Sequence, residues 1–593
     1  MSKPYTHLLE VEMRVLYPRN AVTPKFLDLV MPVWTPGSYL IREYARHVQD
    51  FVAKDGASGK AIEWTKVNKN TWRLGGTFAH DILITYRVYA NELTVRSNEF
   101  NDQHAFWNNA ALLMYPANGY DYTDSRELKL PATVRVIPYG NWRVATGLPP
   151  VEGQPNTFRA ENFDILYDSP FEVSDFKTLT FDVRGIPHRI VIDGLGNYDA
   201  ERVRNDAQKI VNAAVETMGG EIPYHDYTFI LHLRQTGGGG LEHLNSTALG
   251  FRRFGFRPEA SYQGFLSLVA HEFFHLWNVK RIRPDALGPF DYTKENYTRL
   301  LWVAEGITSY YEELILRRAG LISDKEYLNN AARSLQALQN TPGRLVMSVE
   351  EASFDAWIKY YRPDENSINS QISYYDKGAI LGLLLDLEIR RRSQGQKSLD
   401  DVMRYLYNEF YKKNRNYRPE DFQQACELMA GSNLNEFFTR FVRGRDELDY
   451  NASLTGVGLQ LVNGAVNIHD DVTAKSMNAY LGADLEQQGD RLVVTRVLAG
   501  TPAYEQGLYA GDQIVAVDGV RATRDFLNAR LAEKQPNDSV TFAVFRADDL
   551  RNLTIKLGGR AEEFYRIVAV AQPSAAQARL YQEWMGAPLV QQR

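Results

Sequence analysis

Two histidines stand four residues apart in the apolar run 269–277, with a glutamate directly after the first: His271, Glu272, Phe273, Phe274 and His275 spell H-E-x-x-H. On a helix, positions i and i+4 share a face. His271 and His275 can then offer both imidazoles to one metal ion, while Glu272 points beside that ion as a general base for a water. Such a run has to be helical, and the chain around it has to build a closed polar site. The competing reading is a chance pentapeptide with two surface histidines. A third ligand separates the two, because a catalytic zinc takes three protein ligands and keeps a fourth position open.

Glu305 supplies that candidate. It follows His275 by thirty residues in the segment Trp302-Val303-Ala304-Glu305-Gly306-Ile307, inside a helix predicted over 297–318. A helix-borne glutamate downstream of H-E-x-x-H is the pattern of peptidases whose zinc is held by two histidines and one glutamate. Aromatic neighbours and the following glycine favour burial in a site over an exposed helix position. Glu312 and Glu313, on the same predicted helix, are the competing choices.

Composition closes off other chemistries. The formal net charge of −6 shows no basic bias, so nucleic acid is not an expected partner. The lone Cys426 permits no intrachain disulfide and no thiolate metal site, and reads as a buried structural thiol. The first thirteen residues lack a basic segment followed by an apolar stretch, and no window is long enough to span a bilayer. The sequence as written reads as cytoplasmic; a periplasmic protein whose leader has been removed is the alternative.

At 593 residues the chain is expected to divide into several domains. Residues 1–180 read as β-rich, with strands predicted at 8–16, 26–33, 82–89, 132–137 and 143–146 between Pro, Gly and Asn turns. The Trp34-to-Tyr39 turn belongs here, its aromatics read as packing residues. A mixed α/β unit follows over 181–320. Its helix at 199–218 carries Val203, Ala207, Ile210, Val211 and Ala214 on one face, and its strand at 227–233 runs into Gly237-Gly238-Gly239-Gly240-Leu241-Glu242-His243. Four glycines suit a flexible loop, or a place where another backbone must come close. Residues 321–455 read as helical, 476–560 as a compact β-rich module with one helix, and 561–593 as a tail without assigned structure.

The separated motifs, in this order, resemble the PDZ-containing glycyl aminopeptidase family, distant relatives of aminopeptidase N. They are the Trp34 turn, the Gly-rich run ending in Glu242-His243, HEFFHLWNVKRIRP from His271, LWVAEGITSYY from Leu301, and the C-terminal module. The resemblance implies a multidomain α+β architecture: a β-rich N-terminal domain, a thermolysin-like catalytic domain, an α-helical domain and a PDZ domain. It implies one Zn2+ per chain on His271, His275 and Glu305, with Glu272 as general base. Gly239, Gly240 and Glu242 would line the substrate, Glu242 meeting its free α-amine, and His243 departs from the family relatives, where aminopeptidase N has asparagine. Tyr375, in Tyr375-Asp376-Lys377-Gly378, would donate to the oxyanion, with Tyr374 as the alternative. Leu481, Gly482 and Ala483 would form the loop that receives a peptide C-terminus at the PDZ domain.

The expected activity is removal of N-terminal residues, small ones such as Gly or Ala by resemblance, from peptides with a free N-terminus. The alternatives are an endopeptidase of the same fold and a non-catalytic PDZ adaptor.

Overall fold

The computed structural model describes residues 1–17, 25–76, 81–117, 128–463, 477–561 and 564–590. Residue 476, which opens the expected PDZ module, and 562–563 and 591–593 of the expected tail lie outside the described residues. The chain forms two compact units. One comprises Met1–Thr298, Tyr311–Ile322 and Asp400–Ala425; the other comprises Arg299–Tyr310, Ser323–Leu399 and Cys426–Arg593.

The first unit opens with antiparallel sheets. Leu8–Leu16, Asp81–Tyr89 and Val48–Asp55 form a three-stranded sheet with Asp81–Tyr89 central. Burial along that central strand alternates from Ile82 to Val88, the period-two pattern of a strand with one face on the core. The strand predicted over 26–33 stops at Val30, because the Met31 amide turns to Asn70 O and the Val33 amide to Tyr292 O. A four-stranded sheet runs in the order Arg143–Thr146, Phe171–Ser174, His104–Trp107, Glu99–Phe100.

A five-stranded mixed sheet then carries the Gly-rich segment. Its order is Lys177–Val183, Ile186–Asp193, Tyr227–Arg234, Ser246–Arg252, Gly239–Glu242. The middle three strands are parallel and Gly239–Glu242 closes the edge antiparallel to Ser246–Arg252. The helix Ala200–Thr217 starts where the Asp199 carboxylate accepts from the Arg202 amide, and it buries the five apolar positions that the sequence set on one face. The helix Glu259–Phe274 carries the H-E-x-x-H run, with His275 as its C-cap residue.

In the second unit the helical run begins at Trp302, later than the predicted 297. The preceding loop is held by Asn296, whose amide donates to Asp291 O and Lys294 O. Trp302–Ile307 is a wide π turn that continues into Thr308–Arg318. Helix Asp324–Gln339 is stopped at its start by a capping box of Ser323 and Glu326. Helix Tyr374–Arg392 is almost wholly buried, and Cys426 is a fully buried free thiol. The described residues of the tail form structure as well. Tyr565–Ala569 pairs with Leu459–Asn463, and helix Ala575–Met585 sets Trp584 Nε1 on the hydroxyl of Tyr310, which itself donates to Asp386.

The C-terminal module is a twisted antiparallel sheet led by the edge strand Ala483–Gln488, with helix Arg524–Ala532 beside it and a core that includes Leu492, Ile514, Val540 and Phe542. The chain thus has a β-rich N-terminal region, a helical middle region and a C-terminal PDZ domain. No described helix is long and apolar enough to cross a membrane.

One buried histidine in the first unit gives the fold an acid-sensitive point. His188 stacks on Phe181, and its Nε2 meets the hydroxyl of Tyr224 at 2.7 Å. Burial lowers its pKa from 6.5 to about 4. Because the folded value lies below the unfolded one, the contribution is complete above pH 6.5 and is lost as pH falls toward 4, on the order of 3 kcal/mol in all. Urea unfolding of wild type and His188→Phe at pH 7.5 and pH 4 is expected to show the variant losing less stability on acidification; equal losses would contradict this reading.

Candidate active site

The H-E-x-x-H helix fixes both of its histidines by their outer nitrogens. His271 Nδ1 donates to Glu312 Oε2 at 2.6 Å, and His275 Nδ1 donates to Asn278 O at 2.6 Å. With their protons committed there, the two Nε2 atoms face each other as lone-pair acceptors at 3.0 Å. A cation held between two nitrogens at that separation would take a lone pair from each. The donor set therefore fits a divalent metal. Glu312, one of the competing third ligands, is used to orient His271, and Ser267 Oγ donates to its second oxygen.

Glu272 follows His271 on the helix and meets the edge strand. A methyl group placed on Gly240 would fall 2.3 Å from the Glu272 carboxyl, so that position accepts only glycine if the glutamate keeps its place. Strand alternation puts Gly240 and Glu242 on one face and Leu241 and His243 on the other. Leu241 accordingly packs with Phe106, Ile230 and Ala248, whereas Glu242 gathers with Glu272 and His275, their ligand atoms all within 4.8 Å of one another. Glu242 is 3% exposed, and its Oε1 has no hydrogen-bond partner among the described residues.

The Trp34-to-Tyr39 turn contributes to this face. Trp34 and Tyr39 are buried packing residues, as their composition suggested, and Trp34 Nε1 donates to Asp291 O. Gly37 between them sits at φ +83°, and a Cβ there would lie 2.5 Å from a Glu242 carboxylate oxygen. The Pro-Gly pair was visible in the sequence; its approach to a glutamate far along the chain was not.

His243 points away from Glu242 to a buried charge pair. Its Nδ1 lies 3.1 Å from Asp168 Oδ1, which also accepts from Lys280 Nζ at 2.7 Å. Burial alone would raise the Asp168 carboxyl, but Lys280 and His243 hold it below its ordinary value. Arg281 donates to Leu244 O and Leu276 O from one nitrogen, and to Pro223 O and Asn245 Oδ1 from the other. The Trp277-to-Pro284 segment thus braces the end of the edge strand. Asp168 and Lys280 carried no local sequence signal for this role.

Glu305 and Tyr375 lie in the second unit and come together there. Gly306 and Gly378 let the π turn and helix Tyr374–Arg392 touch: a Cβ on Gly306 would lie 2.5 Å from Gly378 Cα. Glu305 is 2% exposed. Burial first, then the charge of Glu305 and three neighbouring tyrosines, raise the Tyr375 hydroxyl well above its usual range, so it stays a proton donor. At the far end of the chain, Gly482 adopts φ +85° beside Thr501, whose hydroxyl donates to Leu498 O. A groove of about 540 Å³ opens past Ala483, between the edge strand and helix Arg524–Ala532, with Leu485, Arg496 and Leu527 in its walls.

A pair of histidines placed to share a cation, a buried carboxylate beside them and a glycine-lined sheet edge form a candidate hydrolytic site. Residues 264–381 match the M61 glycyl aminopeptidase family, residues 1–175 the peptidase M61 N-terminal domain, and residues 479–557 a PDZ domain. The crystal structure of an aminopeptidase N family protein from Idiomarina loihiensis is 32% identical, with a TM-score of 0.88 over 98% of each chain. An M1 zinc metallopeptidase from Deinococcus radiodurans aligns at 14% identity with a TM-score of 0.46, over 76% of this chain and 93% of that one. Among curated proteins none matches this chain. The chain belongs to the M61 glycyl aminopeptidase family.

The packing of Gly240 on Glu272 has a direct consequence. Gly240→Ala is expected to displace the glutamate and lower kcat/KM for a peptide by on the order of 10²-fold, while thermal stability changes little. Full activity in that variant would contradict the close approach.

Proposed function

We propose that the protein is a zinc aminopeptidase that removes small N-terminal residues, Gly or Ala, from peptides. One Zn2+ per chain would be held by His271, His275 and Glu305, donor types that can hold one such ion. Two features support Glu305. It lies seven residues, about two turns, before Glu312 on one uninterrupted helical run, and Glu312 reaches His271. When bound, the ion supplies Lewis-acid chemistry, acidifying water and polarising the scissile carbonyl.

The remaining steps belong to the chain's own residues. Glu272, held against Gly240, takes the proton of the attacking water and passes it to the leaving amine. Tyr375, kept protonated, donates its hydroxyl hydrogen to the oxygen on which negative charge develops. Glu242 binds the substrate's α-ammonium. The observation that carries the exopeptidase reading is this carboxylate: buried, with an unpartnered oxygen, beside Glu272 and His275. A buried carboxylate of that kind is costly unless a cation meets it, and a free N-terminus is the cation a peptide offers. Gly239 and Gly240 leave the sheet edge clear for the peptide backbone. The preference for small residues rests on the family's description as glycyl aminopeptidases.

We further propose that the parts divide the work as 1–180, 181–320, 321–455 and 476–560, with the last binding a peptide C-terminus at Leu481, Gly482 and Ala483. The positive φ of Gly482 and the adjoining groove support this.

Glu272→Gln is expected to keep its zinc and lose about 10²–10⁴-fold in kcat; unchanged turnover would remove Glu272 as the base. Peptides with an acetylated N-terminus are expected to resist the wild-type enzyme. Their cleavage at the rate of free peptides would favour the endopeptidase reading, and failure to hydrolyse free and acetylated peptides alike would favour the adaptor.

A further inference from the structure

A second group of metal-ligand side chains lies in the first unit, apart from the H-E-x-x-H helix. His104, Glu172 and His232 bring three ligand atoms within 4.8 Å of one another, and all three side chains are buried. They come from two sheets: His104 and Glu172 from neighbouring strands of the four-stranded sheet, His232 from the middle strand of the five-stranded one. On the first sheet, register puts Phe106 opposite Glu172, so His104, two residues before Phe106, shares a face with the glutamate. Phe106 closes one side, its ring 4.6 Å from that of His232.

The hydrogen-bond inventory here is short of cations. Glu172 Oε2 lies 2.9 Å from His232 Nε2 and 3.4 Å from His104 Nδ1, and Asp193 Oδ2 lies 3.5 Å from the same His104 nitrogen. On its other side His104 Nε2 meets Glu99 Oε2 at 2.7 Å and Arg234 Nη2 at 2.9 Å. The Arg234 Nη2 hydrogen goes to Asp193 Oδ2, at 2.7 Å. Three carboxylates thus share one guanidinium, leaving two negative charges around two imidazoles. Either both rings carry an extra proton or a divalent cation is present. Glu172 Oε1 decides between them. It is fully buried and has no hydrogen-bond partner among the described residues, so two protonated rings would leave one oxygen of a buried carboxylate uncompensated.

We propose that His104, His232 and Glu172 bind a second zinc ion, with Asp193 as the nearest further oxygen and Glu99 accepting from His104 Nε2–H. Two imidazole nitrogens and a carboxylate are a donor set suited to Zn2+. The Glu99 contact is the outer hydrogen bond that fixes a metal-bound imidazole's tautomer. The site clamps the two sheets together. His232 sits on the strand that hydrogen-bonds Ser246–Arg252, and Ser246–Arg252 in turn carries Gly239–Glu242, so the clamp steadies the support of the edge strand.

Crystals of the full chain grown with zinc and measured on both sides of the zinc absorption edge are expected to show an anomalous peak bounded by His104 Nδ1, His232 Nε2 and Glu172. These side chains in direct contact, with no peak, would overturn the site. In solution, the His271→Ala/His275→Ala chain dialysed against metal-free buffer is expected to keep one zinc per chain and to lose it on the further change His232→Gln. A folded double variant holding no zinc, or a triple variant that keeps it, would also overturn the assignment.

Discussion

His271 and His275 each spend their Nδ1 hydrogen on an oxygen behind them, and so turn two lone pairs toward each other across 3.0 Å. That arrangement offers both lone pairs to one cation. The rest of the site serves to hold it. Glu312 and Asn278 fix the tautomers, and the helix spacing sets the separation. Glu272 then has a defined place because Gly240 has no side chain, and Glu242 has one because Gly37 has none.

The steric economy of these glycines explains why the catalytic face is built from such distant segments. A turn near the N-terminus, an edge strand and a helix C-terminus meet at carboxylates with no room for a Cβ. The second unit repeats the device, with Gly306 and Gly378 letting the turn that bears Glu305 touch the helix that bears Tyr375. In each case a missing side chain sets the position of a charged or hydroxyl group, and a single methyl would move it.

Much of this was legible in the chain. The i,i+4 spacing announced the helix and its paired imidazoles, and strand 8–16 and the one-faced helix at 199–218 followed from simple periodicity. Glu312 was legible as a candidate only, since spacing cannot tell a metal ligand from a residue that orients one; the difference lies in which ring nitrogen it meets. The π turn at Trp302–Ile307 has no sequence rule behind it, and the loop held by Asn296 shortened the predicted helix. The contacts of Gly37 with Glu242, and of His243 and Lys280 with Asp168, join segments too far apart in sequence for any local pattern. The same holds for His104, Glu172 and His232, which share no motif and meet through the register of one sheet and its packing on another. The tail had a helix-compatible pattern, but its burial depended on a partner strand a hundred residues upstream.

A metal between the two facing imidazole nitrogens and Glu242 at the end of the substrate are the two features on which the proposed activity depends. A crystal structure of Glu272→Gln soaked with zinc and a free tripeptide tests both at once. The account expects metal density between His271 Nε2 and His275 Nε2, and the peptide's ammonium within hydrogen-bond distance of Glu242. A peptide that runs on past Glu242 in both directions, or imidazoles with no metal between them, would contradict it.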